Sequence, residues 1–273
     1  MATPGVSTAS SWTRGRIAHK AVPTMTETLF IAVFGVFAAS LLRGFTGFGF
    51  GIAAVPLLSL ALPPAKVVPF VVVLQVIVGV AGLRQSWSLC DWWAIAGLSP
   101  GLVLGIPLGL AVLTAFGADP VRLAIGCVIL GSVLLLWRGI RLPPRQPRAI
   151  PLAVGLVAGV MSGLASMGGP PIVVYLLALA HEAAVVRASS IVYFMLSAVV
   201  SLLLMSWRGL IDREILSWSV ASVPLLMAGT SVGNWGFRRS RPHHHRLTAM
   251  VLLSVLAILL IARGIGGWWV EPS

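Results

Sequence analysis

Apolar residues occur along this chain in long runs that are separated by short polar segments. Several runs reach the roughly 20 residues that a helix needs to cross a bilayer, and none shows the alternation of a transmembrane β-strand. Because backbone amides in lipid must be bonded within their own segment, the pattern predicts an all-α polytopic membrane protein. The ten predicted segments are 29–42, 51–60, 67–83, 92–116, 121–137, 150–164, 170–180, 188–207, 215–237 and 247–261.

Two of these segments, 51–60 and 170–180, are too short to cross a bilayer alone, because 10 or 11 helical residues reach only about 15 to 17 Å. Each belongs to a glycine-rich motif, at 44–51 in the first case and at 163–171 in the second. Clustered glycines interrupt a helix, at about 1 kcal/mol each relative to alanine. The sequence therefore predicts eight full spans and two short, broken motif helices.

The two motifs are related by an internal repeat, since Gly44 aligns with Gly163 at a shift of 119 residues (163 − 44). A second block repeats at a shift of 124 (224 − 100), pairing Pro100, Gly105 and Gly109 with Pro224, Gly229 and Gly233. Five segments in each half is an odd number, which inverts the second half. The inversion places the basic stretches 138–148 and 238–246 on one side, as the positive-inside rule requires, whereas eight segments would separate them.

The predicted organisation has two homologous halves in an inverted repeat, flanked by short tails. The apolar run 29–42 lacks the cleavage pattern of a signal peptide and is predicted to be the first span. Met25 is a second candidate for the start of translation. The predicted units are a disordered tail at 1–26, a first repeat at 27–140, a basic linker at 141–148, a second repeat at 149–267 and a tail at 268–273.

Composition supports a membrane protein, with 58% hydrophobic and only 10% charged residues. The net charge of +12 does not indicate nucleic-acid binding, because the basic residues lie mostly between the apolar runs. There they set topology and contact anionic lipid headgroups. The sequence therefore predicts the lipid bilayer, and no nucleic acid, as a partner. A homo-oligomer is compatible with the sequence, although no pattern indicates one.

Acidic residues and histidines all lie at or beyond the ends of the apolar runs. A carboxylate in mid-membrane is the usual proton relay or cation ligand of a transporter, and its absence argues against a cation carrier. The absence of such a carboxylate also argues against an intramembrane aspartyl protease. The position of the histidines outside the spans argues against an intramembrane metalloenzyme. We therefore expect no enzyme, no metal site and no cofactor. The acidic residues are Glu27, Asp91, Asp119, Glu182, Asp212, Glu214 and Glu271. Of these, Asp91, Asp119 and Asp212 are expected to cap the helices that follow them.

The second motif contains Gly169-Pro170-Pro171, which predicts a helix start with free backbone N–H groups before it. A helix N-terminus carries about half a positive charge and binds anions, so two such starts in inverted halves would form one site for a small oxyanion. Thr46 and Ser166 are candidate hydroxyl donors. The predicted substrate-binding residues are Gly44, Thr46, Gly47, Gly49, Gly51, Gly163, Ser166, Gly168, Gly169, Pro170 and Pro171.

Three basic residues, Arg43, Lys66 and Arg187, are candidates to guide the anion, with a purely topological role as the alternative. The motif residues could likewise serve structure alone. Glycines in membrane helices often only permit close packing, above all in the two repeated proline-containing blocks. The hydroxyls of Thr46 and Ser166 can instead bond a backbone carbonyl. Gln75, an amide inside a span, is expected to face protein rather than lipid.

The chain resembles the sulfite exporter TauE/SafE family of bacterial permeases. The resemblance rests on the two motifs, at 44–56 and 163–171, and on the matching proline-containing helices. The resemblance covers nearly the whole chain from about Glu27. It implies a multi-pass protein of the bacterial inner membrane that moves sulfite, sulfonates or related organic acids. The first motif departs from the second by placing Phe45, Phe48 and Phe50 between its glycines. The resemblance does not fix the substrate or the direction.

We therefore expect a permease for a small oxyanion that works by alternating access. A channel-like anion pathway built on the same fold is one alternative. A membrane subunit that assists the assembly of an enzyme is another, although the lack of a sizeable soluble domain counts against it.

Overall fold

The computed structural model describes residues 25–46, 50–138, 147–179, 182–239 and 254–266, and all regular secondary structure within them is helical. The helices overlap the ten predicted segments, apart from positions 247–253 of the last segment, which lie outside the described residues, and this confirms the all-α prediction. They are α1 (Met25–Thr46), α2 (Phe50–Ser59), α3 (Pro64–Ser86), α4 (Trp92–Ala115), α5 (Ala118–Arg138), α6 (Ala149–Ala165), α7 (Gly169–Ala178), α8 (Ala183–Trp207), α9 (Arg213–Arg239) and α10 (Ser254–Gly266).

Three of the described helices are long and apolar enough to cross a bilayer, in the ranges Trp92–Ala115, Ala184–Trp207 and Arg213–Gly233. Their outward faces carry large apolar side chains. Leu104, Leu203 and Val220 are 62%, 65% and 72% exposed. Such faces suit contact with lipid.

Aspartates begin two of the long helices, as the sequence predicts. Asp91 caps α4 and accepts hydrogen bonds from the backbone N–H groups of Trp93 and Ala94. Asp212 accepts one from the N–H of Ile215 at 2.8 Å and so caps α9. Asp119 differs from the expected N-cap because it lies inside the first turn of α5 and binds Arg122 at 2.6 Å.

Glycines bring α4 and α6 into backbone contact along most of their length. A Cβ added to Gly105 would lie 2.9 Å from the Gly159 Cα, and one added to Gly163 would lie 2.8 Å from the Leu110 N. Gly229 of α9 packs in the same way against α1, where an added Cβ would lie 2.7 Å from the Phe37 carbonyl oxygen. Close packing is thus the structural role of these glycines.

Two short helices lie in the centre of the bundle, each folded back along the helix before it. A Cβ at Gly35 of α1 would collide with the Leu58 side chain of α2, and one at Gly168, just before α7, would lie 2.6 Å from the Ala158 oxygen of α6. Nine of the ten residues of α2 are buried, as are eight of the ten in α7. The two motif helices therefore start inside the protein.

Candidate anion site between two short helices

A cavity of about 550 Å³ lies where α2 and α7 begin. Phe50, Gly51 and Ile52 line it from the first turn of α2, and Gly168 and Gly169 line it from the start of α7. The two glycine-rich motifs are 119 residues apart in sequence, yet they form walls of one cavity. The structure thus brings the starts of the two motif helices together.

The cavity carries positive charge without a compensating carboxylate. Arg43, in the last turn of α1, and Arg187, near the start of α8, both line it. Neither arginine forms an ion pair with the described residues, and no Asp or Glu is among the described residues of the lining. The remaining polar groups of the wall are Gln75, Ser86, Ser162, Ser166, Ser197 and Thr230. This electrostatic arrangement favours an anion over a cation.

The backbone N–H groups at the start of α7 belong to residues of the cavity wall. Pro170 and Pro171 in its first turn have no N–H group, and Gly168 precedes the helix without a side chain to cap it. Within the described part of the chain, no backbone acceptor bonds the N–H groups of Gly168 or Gly169. Free N–H groups at the positive end of a helix dipole are a favourable environment for an oxyanion.

Glycine is required at Gly51 and Gly168 because neighbouring backbone approaches too closely for a side chain. A Cβ at Gly51 would collide with the Ser166 carbonyl oxygen and the Gln75 Nε2. A Cβ at Gly168 would collide with the Ser162 Oγ as well as with the Ala158 oxygen. The space around the two helix starts is therefore closed to any larger residue.

The turn between α6 and α7 contains an unusual backbone conformation. Ser166 has φ 55° and ψ 31°, and within the described residues no other non-glycine residue has a positive φ. The N–H of Ser166 bonds the Ser162 oxygen at 2.8 Å, and that of Met167 bonds the Met161 oxygen at 3.3 Å. The bond from Ser166 to Ser162 is that of the αL C-cap motif, in which glycine is the usual left-handed residue.

Gln75, near the middle of α3, holds Ser166 with two hydrogen bonds. The Ser166 Oγ donates to the Gln75 Oε1 at 2.9 Å, and the Gln75 Nε2 donates to the Ser166 carbonyl oxygen at 3.1 Å. The prediction that Gln75 faces protein is confirmed. The sequence alone did not place it in the site, although an amide inside an apolar span was a signal for such a role.

Some predicted site residues lie away from the cavity. Gly163 packs against α4 and does not line the cavity. Lys66 pairs with Glu214 at 2.6 Å and lies 5.7 Å from the centre of the Trp218 ring, also outside the cavity lining. The structure gives these two residues packing and ion-pair contacts instead.

The other predicted site residues fall into two groups. Some are described but do not line the cavity, and the others lie outside the described part of the chain. Gly44, Pro170 and Pro171 are buried but are not part of the cavity wall. Thr46 is the last residue of α1. Gly47 and Gly49 lie outside the described residues.

Known proteins resemble this chain over most of its length. The family model described as "Sulfite exporter TauE/SafE" matches residues 31–260. The "Probable sulfite/organosulfonate exporter TauE" of Cupriavidus necator is 26% identical over 230 residues, which cover 82% of this chain and 90% of that protein. The "Probable inner membrane transporter protein TsaS" of Comamonas testosteroni is 28% identical over 181 residues, covering 64% and 71% of the two chains.

No solved structure gives a significant match to the chain. The family match covers most of the chain, and it confirms both the predicted family and the expectation of a transporter rather than an enzyme. The chain belongs to the sulfite exporter TauE/SafE family and is a multi-pass membrane transporter.

Proposed function

We propose that the protein is a secondary transporter that exports a small sulfur oxyanion, sulfite or an organosulfonate, through the cavity between α2 and α7. The observation that carries the proposal is the charge of this cavity, which has two arginines and no carboxylate among its described lining residues. The name of the Cupriavidus necator relative, which covers sulfite and organosulfonates, supports the substrate class. The name of the Comamonas testosteroni relative supports the inner membrane as the location.

The anion would be bound by backbone N–H groups and held by the arginines. Gly168 and Gly169 supply the donors in the second half, and Gly47, Gly49 and Gly51, with the Thr46 hydroxyl, are proposed to do so in the first. Guanidinium groups fit the oxygens of a planar or tetrahedral oxyanion in a bidentate manner, so Arg43 and Arg187 suit this role. A unit charge about 4 Å away contributes roughly 4 kcal/mol at an effective dielectric constant near 20.

An inverted repeat is the proposed basis of alternating access, with repeats at 27–140 and 149–267 joined by the linker 141–148. Lys66 of α3 and Arg187 of α8 align at a shift of 121 residues (187 − 66), so these two helices correspond. They run antiparallel, because Gly79 lies by Met195 while Gly82 lies by Ile191. Corresponding helices that run in opposite directions support inversion, and rocking of the halves about the central site would open it to either side.

The orientation of the cavity supports export. Three lining residues are exposed, Leu89 (52%) after the end of α3 and Ala184 and Arg187 at the start of α8, so the cavity opens at this end of the bundle. The start of α6 lies at the same end, since a Cβ at Gly97 of α4 would lie 3.3 Å from Pro151. This places Arg148 of the basic linker beside the opening. By the positive-inside rule the cavity would then load from the cytoplasm.

The coupling of transport to protons need not involve a membrane carboxylate. Sulfite titrates near neutral pH, so the substrate itself can carry a proton across. The absence of Asp and Glu from the described cavity wall is consistent with this route.

The test is flux in proteoliposomes loaded with sulfite, sulfoacetate or acetate, measured for the wild type and for Gly168→Leu. We expect saturable flux of a sulfur oxyanion that is lost in Gly168→Leu, while the variant still inserts into the membrane. Flux that does not saturate and follows the membrane potential would support the channel-like alternative. No flux of any anion would contradict the proposal and favour an assembly subunit.

A further inference from the structure

We propose that Gln75 is a positioning residue, which holds the turn between α6 and α7 in the shape that presents the start of α7 to the anion. The inference rests on the proposed anion site and adds to it a residue on a different helix. Gln75 lies on α3, 91 positions from Ser166 in sequence. Its side chain reaches the turn from across the cavity wall.

The two hydrogen bonds between Gln75 and Ser166 use complementary groups on both residues. The Gln75 carboxamide accepts from the Ser166 hydroxyl and donates to the Ser166 carbonyl, at 2.9 and 3.1 Å. The hydroxyl proton of Ser166 is thereby directed to Gln75 rather than into the cavity. Of the common side chains, only an amide of this length offers both groups in the required positions.

The Ser166 conformation requires such support. A residue with a Cβ is disfavoured in the left-handed region, and it remains there only when its surroundings hold it. The backbone hydrogen bonds of the C-cap contribute, and the two Gln75 bonds hold the side chain and the carbonyl of the same residue. Rotation of this turn would redirect the N–H groups of Gly168 and Gly169, which follow it directly.

The start of α2 contacts the same pair. A Cβ at Gly51 would collide with both the Ser166 oxygen and the Gln75 Nε2, so α2 packs directly on the two bonded groups. Gln75 therefore lies where the first motif, α3 and the second motif meet. The distance between the two helix starts, which form the proposed anion site, depends on this contact.

The arrangement occurs in one half and is not repeated at the corresponding place in the other. Position 75 aligns with position 196 at the shift of 121 residues, and position 196 is a leucine. The charged groups that share the cavity with Gln75 are Arg43 from α1 and Arg187 from α8. Both arginines attract the anion, whereas the amide is neutral and already bonded to the turn. This separates a positioning role from electrostatic binding.

A double-mutant cycle with Gln75→Met and Ser166→Gly tests the proposal. Gln75→Met keeps the side-chain size and removes both hydrogen bonds, and we expect it to lower kcat/KM for sulfite flux by about tenfold, mainly by raising KM. Ser166→Gly adopts the left-handed conformation without strain, so the cycle compares the effect of Gln75→Met with and without that strain. In that background the Gln75→Met effect should shrink to less than about threefold. Ile77→Met, on the exposed face of α3, is the matched control.

The outcomes separate this inference from the proposed function. An equal loss from Gln75→Met in both backgrounds would overturn the positioning role and leave the anion transporter standing. No flux in the wild type would overturn the proposed function and with it the positioning of a substrate. The Tm of the same four proteins then tests the contact between Gln75 and Ser166. Additive Tm losses would overturn the idea that Gln75 holds the Ser166 turn, and non-additive losses would support it.

Discussion

Gly168→Ala is the smallest change that should disturb the proposed anion site. Gly168 has φ −64°, which any residue can adopt, so the cost of the added methyl group is steric rather than conformational. The new Cβ would collide with the Ser162 Oγ, which can rotate away. It would also lie 2.6 Å from the Ala158 oxygen. This oxygen belongs to the backbone of α6 and cannot rotate away.

The size of the effect follows from this distance. Cβ atoms essentially never approach within 3.0 Å of another heavy atom, so the start of α7 must move by at least 0.4 Å (3.0 − 2.6). Overpacking of this kind costs about 1–3 kcal/mol, which corresponds to a loss of roughly 2 to 10 °C in Tm. A displacement of this size in a binding group should lower kcat/KM for flux about fivefold or more.

The assay is sulfite flux in proteoliposomes, with Tm measured on the same purified proteins. Gly169→Ala gives a graded comparison, because its Cβ would meet only side-chain ends, at 3.0 Å from Ile52 and 3.1 Å from Phe194. Gly131→Ala on α5 is the control, since nothing lies within 4 Å of its added Cβ. The steric explanation is refuted if Gly168→Ala matches Gly131→Ala in both flux and Tm.

Three further predictions concern charge, packing and the end of α2. Arg43→Ala and Arg187→Ala should each raise KM for sulfite by about tenfold, and the double variant should raise it further. The assay is flux measured against sulfite concentration, and an unchanged KM would refute a binding role. Gly105→Val should lower the yield of folded protein, measured by size-exclusion chromatography, because backbone of α6 fills the space. Arg122→Met should lower the free energy of unfolding by about 2 kcal/mol, because the Arg122 Nε donates a hydrogen bond of 2.9 Å to the Ser59 oxygen at the end of α2. The measurement should show a lower Tm and an unchanged KM for sulfite.

The helices could be predicted from the sequence because they follow from local properties of the chain. Apolar runs, their lengths, and the glycines and prolines that interrupt them are sufficient to locate α2 and α7 to within one or two residues. The convergence of the two motifs was also expected, because interrupted segments at matching places in two halves are a pointer to one shared site. Asp91 and Asp212 were recognisable as caps from their positions before apolar runs.

The contacts inside the site could not be predicted, because they depend on side chains that are far apart in sequence. Gln75 and Ser166 meet only after α3 packs beside the α6–α7 turn. The left-handed Ser166 replaces the glycine that an αL C-cap usually contains, so no local signal marks it. Lys66 aligns with Arg187 in the repeat, but only Arg187 lines the cavity. Lys66 instead forms an ion pair with Glu214 of α9.

The most direct test of the account is whether the transported anion occupies this cavity. Ala184 lines the cavity near its opening, and Ala184→Cys would place a thiol there. Cys127 is exposed, and Cys90 is half-buried with its thiol pKa raised by burial, so both are first replaced by serine. The measurement is the rate of alkylation of the new thiol by a membrane-impermeant reagent, with and without sulfite. The account predicts that sulfite slows alkylation in a saturable way and that Arg43→Ala weakens this protection. An alkylation rate that sulfite does not change, in a variant that still transports it, would contradict the account.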